Sequence, residues 1–253
     1  LVALRAPTLR LVVAYSSIAH LGFILLGIVT IDGQALQGAV LQMVNHGLVV
    51  ASAFVIVGII TQRSGREKVA DLGGLAEGAP WLAGAFLFVT MASLAIPGSN
   101  AFAGEFFILI GTFRHHWWAV FLACLGIIYA SVYMLRLFQR TMNGPRGQVS
   151  GSTVEMRPGD FVLLVPLVAA MLAIALWPQG VLRTTGPTVD RVLAPAQVAL
   201  NRPASQVRAR VPVNPPEEAL PLPGDPEPTA PTPQNTQVPT PCAGRDLPVT
   251  ALL

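Results

Sequence analysis

Three ionisable side chains lie inside long apolar stretches of the sequence, namely Glu105, His20 and His46. Carboxyl and imidazole groups exchange protons readily when their surroundings are suitably arranged. Such groups are costly within a lipid bilayer, so they face a partner or a water-filled path there and mark a functional site. The sequence therefore predicts that these three residues form a proton relay.

Three uncharged polar residues accompany the relay candidates. Ser16 precedes His20 by one helical turn, so a helix would place both on one face. Gln42, Asn45 and His46 form a polar stripe at i, i+3 and i+4 spacing in an otherwise apolar segment. This spacing predicts that Ser16, Gln42 and Asn45 support the relay.

Structural roles remain open for the same residues. The alternative role for Glu105 is that of a protonated carboxyl group, which only forms a hydrogen bond between helices. A single intramembrane histidine is about as often a helix-to-helix hydrogen-bonding group as a member of a relay. His20 and His46 therefore have two interpretations when each is considered alone.

The composition indicates which elements hold these residues. Of the 253 residues, 53% are apolar and only 11% are charged, whereas soluble domains carry about 25% charged residues. A bilayer core about 30 Å thick requires roughly 20 apolar residues in a helix. The sequence predicts an all-α membrane protein with about five transmembrane helices, over residues 9–31, 37–60, 81–113, 117–138 and 161–177.

The third apolar block contains a helix break. As one straight helix, residues 81–113 would extend roughly 50 Å, well beyond the bilayer core. Pro97 removes a backbone donor, and the adjacent Gly98 tolerates unusual dihedral angles. We therefore expect one broken helix, with Pro97 and Gly98 at the break and Glu105 shortly after it.

Depth along the helices relates the three candidates to one another. Measured from the inner membrane surface, His20 lies at roughly 16 Å, Glu105 at about 18 Å and His46 at roughly 21 Å. Three titratable groups in one layer on consecutive helices predict a lateral chain for protons.

The distribution of basic residues predicts an orientation. Lysine and arginine are concentrated in alternate connections, so the chain is expected to start on the cytoplasmic side. Residues 1–178 form the predicted transmembrane domain. Most of the 22 prolines follow it, and residues 179–253 are predicted to be a disordered tail on the outer side.

The fourth block ends with two aromatic and two basic residues at helical spacing. Tyr129, Tyr133, Arg136 and Arg140 approach its cytoplasmic end in this pattern. Amphipathic side chains of this kind typically reach the membrane interface and anchor a helix there. Interface anchoring is the expected role of all four.

Several other functions are excluded by the sequence. The basic residues sit at the ends of apolar segments rather than among aromatic residues, which argues against nucleic-acid binding. The two cysteines do not have metal-ligand spacing, and a glycine-rich phosphate loop is absent. We therefore expect neither a metal nor a cofactor in this chain.

Five sequence motifs resemble one membrane-protein family. They are AYSSIAHLGF at residues 14–23, QMVNHGL at 42–48, DLGGL at 71–75, SLAIPG at 93–98 and FAGEF at 102–106. Together they resemble the antiporter-like, Mrp-type membrane subunits of respiratory NADH-quinone oxidoreductase, and they closely resemble the M (chain 4) type. The resemblance covers residues 1–178, in the family's order.

The resemblance implies a fold and a function. The family fold contains two inverted repeats of five helices, and this chain would hold most of the second repeat, as the C-terminal portion of a longer subunit. Glu105 would be the terminal proton-carrying group on the broken helix, with His20 and His46 in a central polar axis. The family usually has a charged run before residues 14–15, and Thr8 to Leu11 depart from it.

The implied activity is proton translocation coupled to NADH oxidation and quinone reduction. NADH, flavin, iron-sulfur clusters and quinone would be bound by partner subunits in the plasma membrane. Preference for arginine over lysine favours a bacterial source. Alternatives are a subunit of a multisubunit Na+/H+ antiporter or membrane-bound hydrogenase, or a structural membrane subunit that conducts nothing.

Overall fold

The computed structural model describes residues 2–145, 147, 149 and 151–200, and its main elements are α-helices joined by short connections. Two 3₁₀ turns, Val69–Asp71 and Leu75–Glu77, and one π-helical turn, Gln139–Asn143, are also described. The predicted all-α class is confirmed. In chain order the helices are α1 (Val2–Arg5), α2 (Leu9–Val29), α3 (Gly33–Ser64), α4 (Pro80–Ser93), α5 (Asn100–Phe113), α6 (Trp117–Phe138), α7 (Gly151–Val154), α8 (Pro158–Leu176) and α9 (Pro178–Leu200).

Four helices in the described part of the chain are long and apolar enough to cross a membrane: α2, α3, α8, and α6 with its π-helical extension. Helices satisfy their own backbone groups, which lipid cannot do. Two shorter apolar helices, α4 and α5, together occupy the third predicted block. The count of five spans stays a prediction.

Local capping explains where α3 begins and ends. The Asp32 carboxylate accepts hydrogen bonds from the backbone N–H groups of Gln34 and Ala35, both at 2.9 Å. At the other end Gly65 has a left-handed conformation with φ 66° and closes the helix. These caps make α3 longer than the predicted span of residues 37–60.

The chain leaves helical geometry between α4 and α5. Helix α4 ends at Ser93 and α5 begins at Asn100, so Pro97 and Gly98 lie in the interruption. Gly98 has φ 95°, which glycine adopts without strain, while Ala95 has φ 48°, which is costly for a residue with a Cβ atom. The interruption gives α5 an N-terminus within the third apolar block.

In the described part of the chain, two clusters of buried apolar side chains hold the helices together. The larger joins the first turns of α2, the second half of α3, α4, the end of α6 and α8. The smaller is centred on Ile24, Ala39 and Ile108 of α2, α3 and α5. Along α2 and α3, the candidate relay residues lie between the positions that enter these two clusters, so a polar layer separates them.

Helix α9 begins at Pro178, and its residues 179–200 fall in the segment for which disorder was predicted. It packs against α3 and α8. Val189 and Leu193 are buried on one face, while Asp190 and Arg191 are exposed on the other. The expectation of disorder is wrong for residues 179–200. The reason is that burial of apolar side chains at i, i+4 spacing stabilises the helix more than its two internal prolines destabilise it. The remainder of the predicted tail, 201–253, lies outside the described residues.

Candidate functional site

Glu105 is buried on α5, with 5% of its surface exposed. Helix α5 lies unusually close to α3, and glycines permit this approach. A Cβ atom on Gly38 would lie 2.8 Å from the carbonyl oxygen of Gly104, and one on Gly104 would lie 2.5 Å from Gln42 Oε1. Small residues thus bring the backbone beside Glu105 against α3.

Two side chains contact the Glu105 carboxylate at the same oxygen. His20 Nδ1 on α2 is 3.3 Å from Glu105 Oε1. Gln42 Nε2 on α3 donates a hydrogen bond of 3.1 Å to Oε1. Gln42 is 1% exposed, so this bond forms in a water-poor environment. Three helices therefore meet at one carboxylate.

His46 lies beside His20 and extends the site along α3. The two imidazole ring centroids are 5.5 Å apart. His46 Nε2 and Ser17 Oγ form a hydrogen bond of 2.8 Å. Glu105, His20 and His46 therefore form a continuous row of side chains.

Asn45 contacts the beginning of α5 rather than a histidine. Its Nδ2 donates a hydrogen bond of 2.7 Å to the carbonyl oxygen of Asn100. In return, Asn100 Nδ2 donates a hydrogen bond of 3.3 Å to Asn45 Oδ1. Both side chains are at most 2% exposed. Because Asn100 is the first residue of α5, this amide pair fixes the N-terminal end of the helix that carries Glu105.

Ser16 is buried, but it is not the serine that contacts a histidine. Its side chain lies next to Tyr133 of α6, whose hydroxyl is buried without a hydrogen-bond partner in the described part of the chain. Tyr133 is 6% exposed, so the expectation that it anchors the helix at the membrane interface is wrong. The reason is the rotation of α6 about its axis, which turns this tyrosine toward α2 and which sequence spacing does not determine.

A cavity of about 50 Å³ adjoins the carboxylate. Its walls come from α2, α5, α6 and the end of α4, and both His20 and Glu105 line it. His20 Nε2 is buried without a hydrogen-bond partner in the described part of the chain. One water molecule needs a cavity of roughly 10–15 Å³, so this cavity is large enough for water to hydrate His20 and Glu105.

A larger cavity of about 240 Å³ lies between the helix interruption and α8. Pro97, Gly98, Ser99 and Asn100 contribute to its lining. Among the described residues, Ser99 Oγ and Asn100 Oδ1 are buried without hydrogen-bond partners. Polar cavities at a broken helix supply water to backbone groups that the interruption frees.

Sequence reasoning missed three polar residues of this site: Ser17, Asn100 and Tyr133. Ser17 precedes His20 by three residues, so helical spacing alone offered both Ser16 and Ser17 as neighbours. Asn100 follows the Pro-Gly pair directly, and a polar residue at a new helix N-terminus is the signal that identifies it. For Tyr133 the spacing favoured the interface.

The described residues offer no group of three or more His, Cys, Asp or Glu side chains able to hold a metal ion. The chemistry open to the site is proton exchange among a carboxyl group, two imidazoles and water.

Comparison with known proteins gives consistent matches. Residues 1–129 match the family described as NADH:quinone oxidoreductase/Mrp antiporter, transmembrane. NADH-quinone oxidoreductase subunit M of Mycobacterium tuberculosis is 34% identical over 212 residues, which is 84% of this chain and 38% of that protein. The chain thus spans about 38% of that relative's length.

Two solved structures have similar folds. A chain of respiratory complex I from Thermus thermophilus with bound NADH superposes with a TM-score of 0.71 at 26% identity, over 76% of this chain and 40% of that one. A chain of the Mrp complex from Dietzia superposes with a TM-score of 0.64 at 21% identity, over 76% and 44%. The second likeness concerns the fold alone.

Proposed function

Since the chain belongs to the NADH:quinone oxidoreductase/Mrp antiporter family of transmembrane proteins, we propose that it conducts protons across the bacterial plasma membrane. In this proposal it acts as an antiporter-like subunit of an NADH-quinone oxidoreductase. Glu105, His20 and His46 are the relay. NADH, flavin, iron-sulfur clusters and quinone are held by partner subunits.

The buried contact between His20 and Glu105 is the observation that carries the proposal. The two groups are 3.3 Å apart and line a cavity that can hold water. Moving one proton between imidazole and carboxyl converts a neutral pair into an ion pair without displacing a helix. A change in charge elsewhere in the complex shifts this balance, because electrostatic effects are strong where water is scarce.

The surrounding polar groups support transfer in both directions from that pair. Gln42 donates a hydrogen bond to the carboxylate and holds it in place beside His20. His46 provides the next titratable group, with its ring centroid 5.5 Å from that of His20. Ser17 orients the His46 ring.

The broken helix has two roles in the proposal. It places Glu105 in the second turn of α5, where the helix packs against α3 and the carboxylate meets Gln42. It also exposes backbone polar groups to the cavity that Ser99 and Asn100 line, which offers a hydrated route away from the relay. Orientation by the positive-inside distribution puts the chain start and the end of α3 on the cytoplasmic side.

Replacing Glu105 by glutamine tests the proposal. Glutamine keeps the shape and a hydrogen-bond acceptor but cannot exchange a proton. In membrane vesicles carrying the assembled complex, we expect Glu105→Gln to reduce proton translocation per NADH oxidised at least fivefold. Glu67→Gln, which neutralises an exposed glutamate paired with Arg10, is the matched control and should retain translocation.

The result separates the alternatives. Unchanged translocation in assembled Glu105→Gln complexes would show that this carboxyl group is structural. Translocation that depends on sodium gradients and continues without NADH would favour the multisubunit antiporter, whose fold is similar.

A further inference from the structure

A cavity of about 620 Å³ lies far from the relay, beside the first residues of the chain, the segment after α3 and the end of α6. Its volume falls in the range of about 300–1,000 Å³ that is usual for ligand pockets. Of the described residues that line it, three are charged, Arg5, Lys68 and Arg140, and all three are basic.

Among the described residues, these three cations differ from their neighbours in having no counterion. Arg10 is paired with Glu67 at 3.0 Å, and Arg66 is paired with Asp71 at 3.6 Å, on the same side of the molecule. In the described part of the chain, Arg5, Lys68 and Arg140 form no ion pair. Like charges that converge on one cavity repel one another, so an anion bound there would be stabilised.

A smaller cavity of about 40 Å³ shares part of this wall. Arg136 and Arg140 both line it, and Leu4, Ala6 and Val69 border both cavities. Arg136 adds a fourth basic side chain, likewise without an ion pair among the described residues. The combined surface is cationic at its charged positions and apolar between them.

Backbone contacts hold the cavity walls together. Leu9 N–H donates to the carbonyl oxygen of Glu67 at 3.1 Å, and Val69 N–H donates to that of Pro7 at 3.0 Å. Thr8 and Lys68 form an isolated antiparallel bridge. The segment that carries Lys68 is thereby fixed against the start of α2, so its charge is held beside the cavity before any ligand binds.

We propose that this cavity binds a phosphate group, supplied by the headgroup of an anionic phospholipid of the cytoplasmic leaflet. Basic side chains at the cytoplasmic ends of membrane helices attract phosphate, and basic pockets between such helices bind anionic headgroups. Leu4 and Val69 provide apolar contact for the glycerol and upper acyl portion. The site is independent of the proton relay.

Native mass spectrometry of the full chain in detergent micelles tests this binding site. The probes are dioleoylphosphatidylglycerol, dioleoylphosphatidylcholine and inorganic phosphate. We expect selective retention of phosphatidylglycerol over phosphatidylcholine. The double variant K68Q/R140Q should weaken phosphatidylglycerol binding about thirtyfold, since each basic residue near a membrane surface contributes about 1 kcal/mol and 1.4 kcal/mol is a factor of ten.

The matched control is R10Q/R66Q, which removes the same charge from the same side but from residues that already have counterions. It should leave phosphatidylglycerol binding within about twofold of the unmodified protein. Equal weakening by both double variants would overturn the proposal, because it would reduce the effect to overall charge. Equal retention of both lipids would also overturn it. Displacement of phosphatidylglycerol by millimolar inorganic phosphate, with the same dependence on Lys68 and Arg140, would replace the lipid by a soluble phosphate compound.

Discussion

Within the described part of the chain, two acid-base contacts join one helix to another, and they differ in kind. At the centre, His20 and Glu105 meet at 3.3 Å. Near the end of α3, Arg63 Nη2 meets Asp160 Oδ2 at 2.6 Å. The side chains are similarly buried, at 11% and 6% exposure in the central pair and 14% and 16% in the other. Burial alone therefore does not distinguish them.

The contacts around Arg63 form a rigid corner between helices. Arg63 also donates to the backbone carbonyl of Glu155, and Asp160 accepts from the backbone N–H of Arg157 at 2.6 Å. The Glu155 carboxylate accepts from the first backbone N–H groups of α4. One arginine thus connects α3 to α8 and, through Glu155, to the first half of the broken helix.

The two pairs differ in whether they can change their protonation state. Arginine keeps its proton under all ordinary conditions, and its several hydrogen bonds fix one geometry. Histidine and glutamate can exchange a proton, and theirs is a single longer contact beside a cavity. The Arg63–Asp160 pair therefore stays charged and fixed, whereas the His20–Glu105 pair can gain and lose a proton reversibly.

The largest effect is expected at the corner. Arg63→Met leaves the Asp160 carboxylate partly buried without its guanidinium partner, which should lower the free energy of unfolding by about 3 kcal/mol. Thermal unfolding of the purified protein in detergent measures the change. Arg10→Met breaks an exposed ion pair and should cost about 0.5 kcal/mol. Equal losses would show that the corner is an ordinary surface contact.

A slightly smaller loss is expected where α3 and α5 touch. Gly104→Ala places a methyl group 2.5 Å from Gln42 Oε1 and 3.1 Å from its backbone nitrogen, so Gln42 must move away from Glu105. Overpacking of this kind should cost about 2 kcal/mol of unfolding free energy and reduce proton translocation. The control is Gly22→Ala, since a Cβ atom there meets nothing within 4 Å. A stable, fully active Gly104→Ala protein would contradict the close packing.

At the centre, the effect should fall on transport rather than on stability. His20→Gln keeps a hydrogen-bonding side chain but removes its titration, so proton translocation should fall about tenfold while unfolding changes by less than about 1 kcal/mol. Assays in vesicles and thermal unfolding together check both. His116→Gln, on an exposed histidine of the loop before α6, should change neither. A His20→Gln protein that is less stable but transports protons normally would show that the central pair is the structural contact.

The smallest effect is expected at Ser17. Ser17→Ala removes the hydrogen-bond partner of His46 but leaves its ring titratable, so translocation should decrease about threefold. Ser131→Ala provides the control, because that hydroxyl donates only to Ile127 in its own helix. An identical decrease in both variants would remove His46 orientation as the cause.

Much of the site follows from residue type and helical spacing. Glu105, His20, His46 and Gln42 are polar within apolar segments, and such groups must meet one another because lipid offers them no partner. The interruption at Pro97 and Gly98 follows equally from backbone chemistry. These inferences need only the period of a helix and the cost of a buried charge.

Other features depend on how helices are rotated and paired. Spacing does not distinguish Ser16 from Ser17, and only the packing of α2 against α3 selects Ser17 as the partner of His46. The same holds for Tyr133, which the rotation of α6 turns inward, and for α9, whose burial requires a neighbouring helix surface.

The sequence by itself determined that this is a helical membrane protein with titratable groups at one depth and a broken helix beside them. Tertiary structure decided that His20 and Gln42 share one oxygen of Glu105 and that Arg63 joins three segments at the corner. It also decided that cations without an ion pair among the described residues line one cavity. The physical reason is that period and hydropathy fix the height and the face of a side chain along its own helix. Contacts between helices depend on rotation and distance, which small residues such as Gly38 and Gly104 set from positions that carry no polar group.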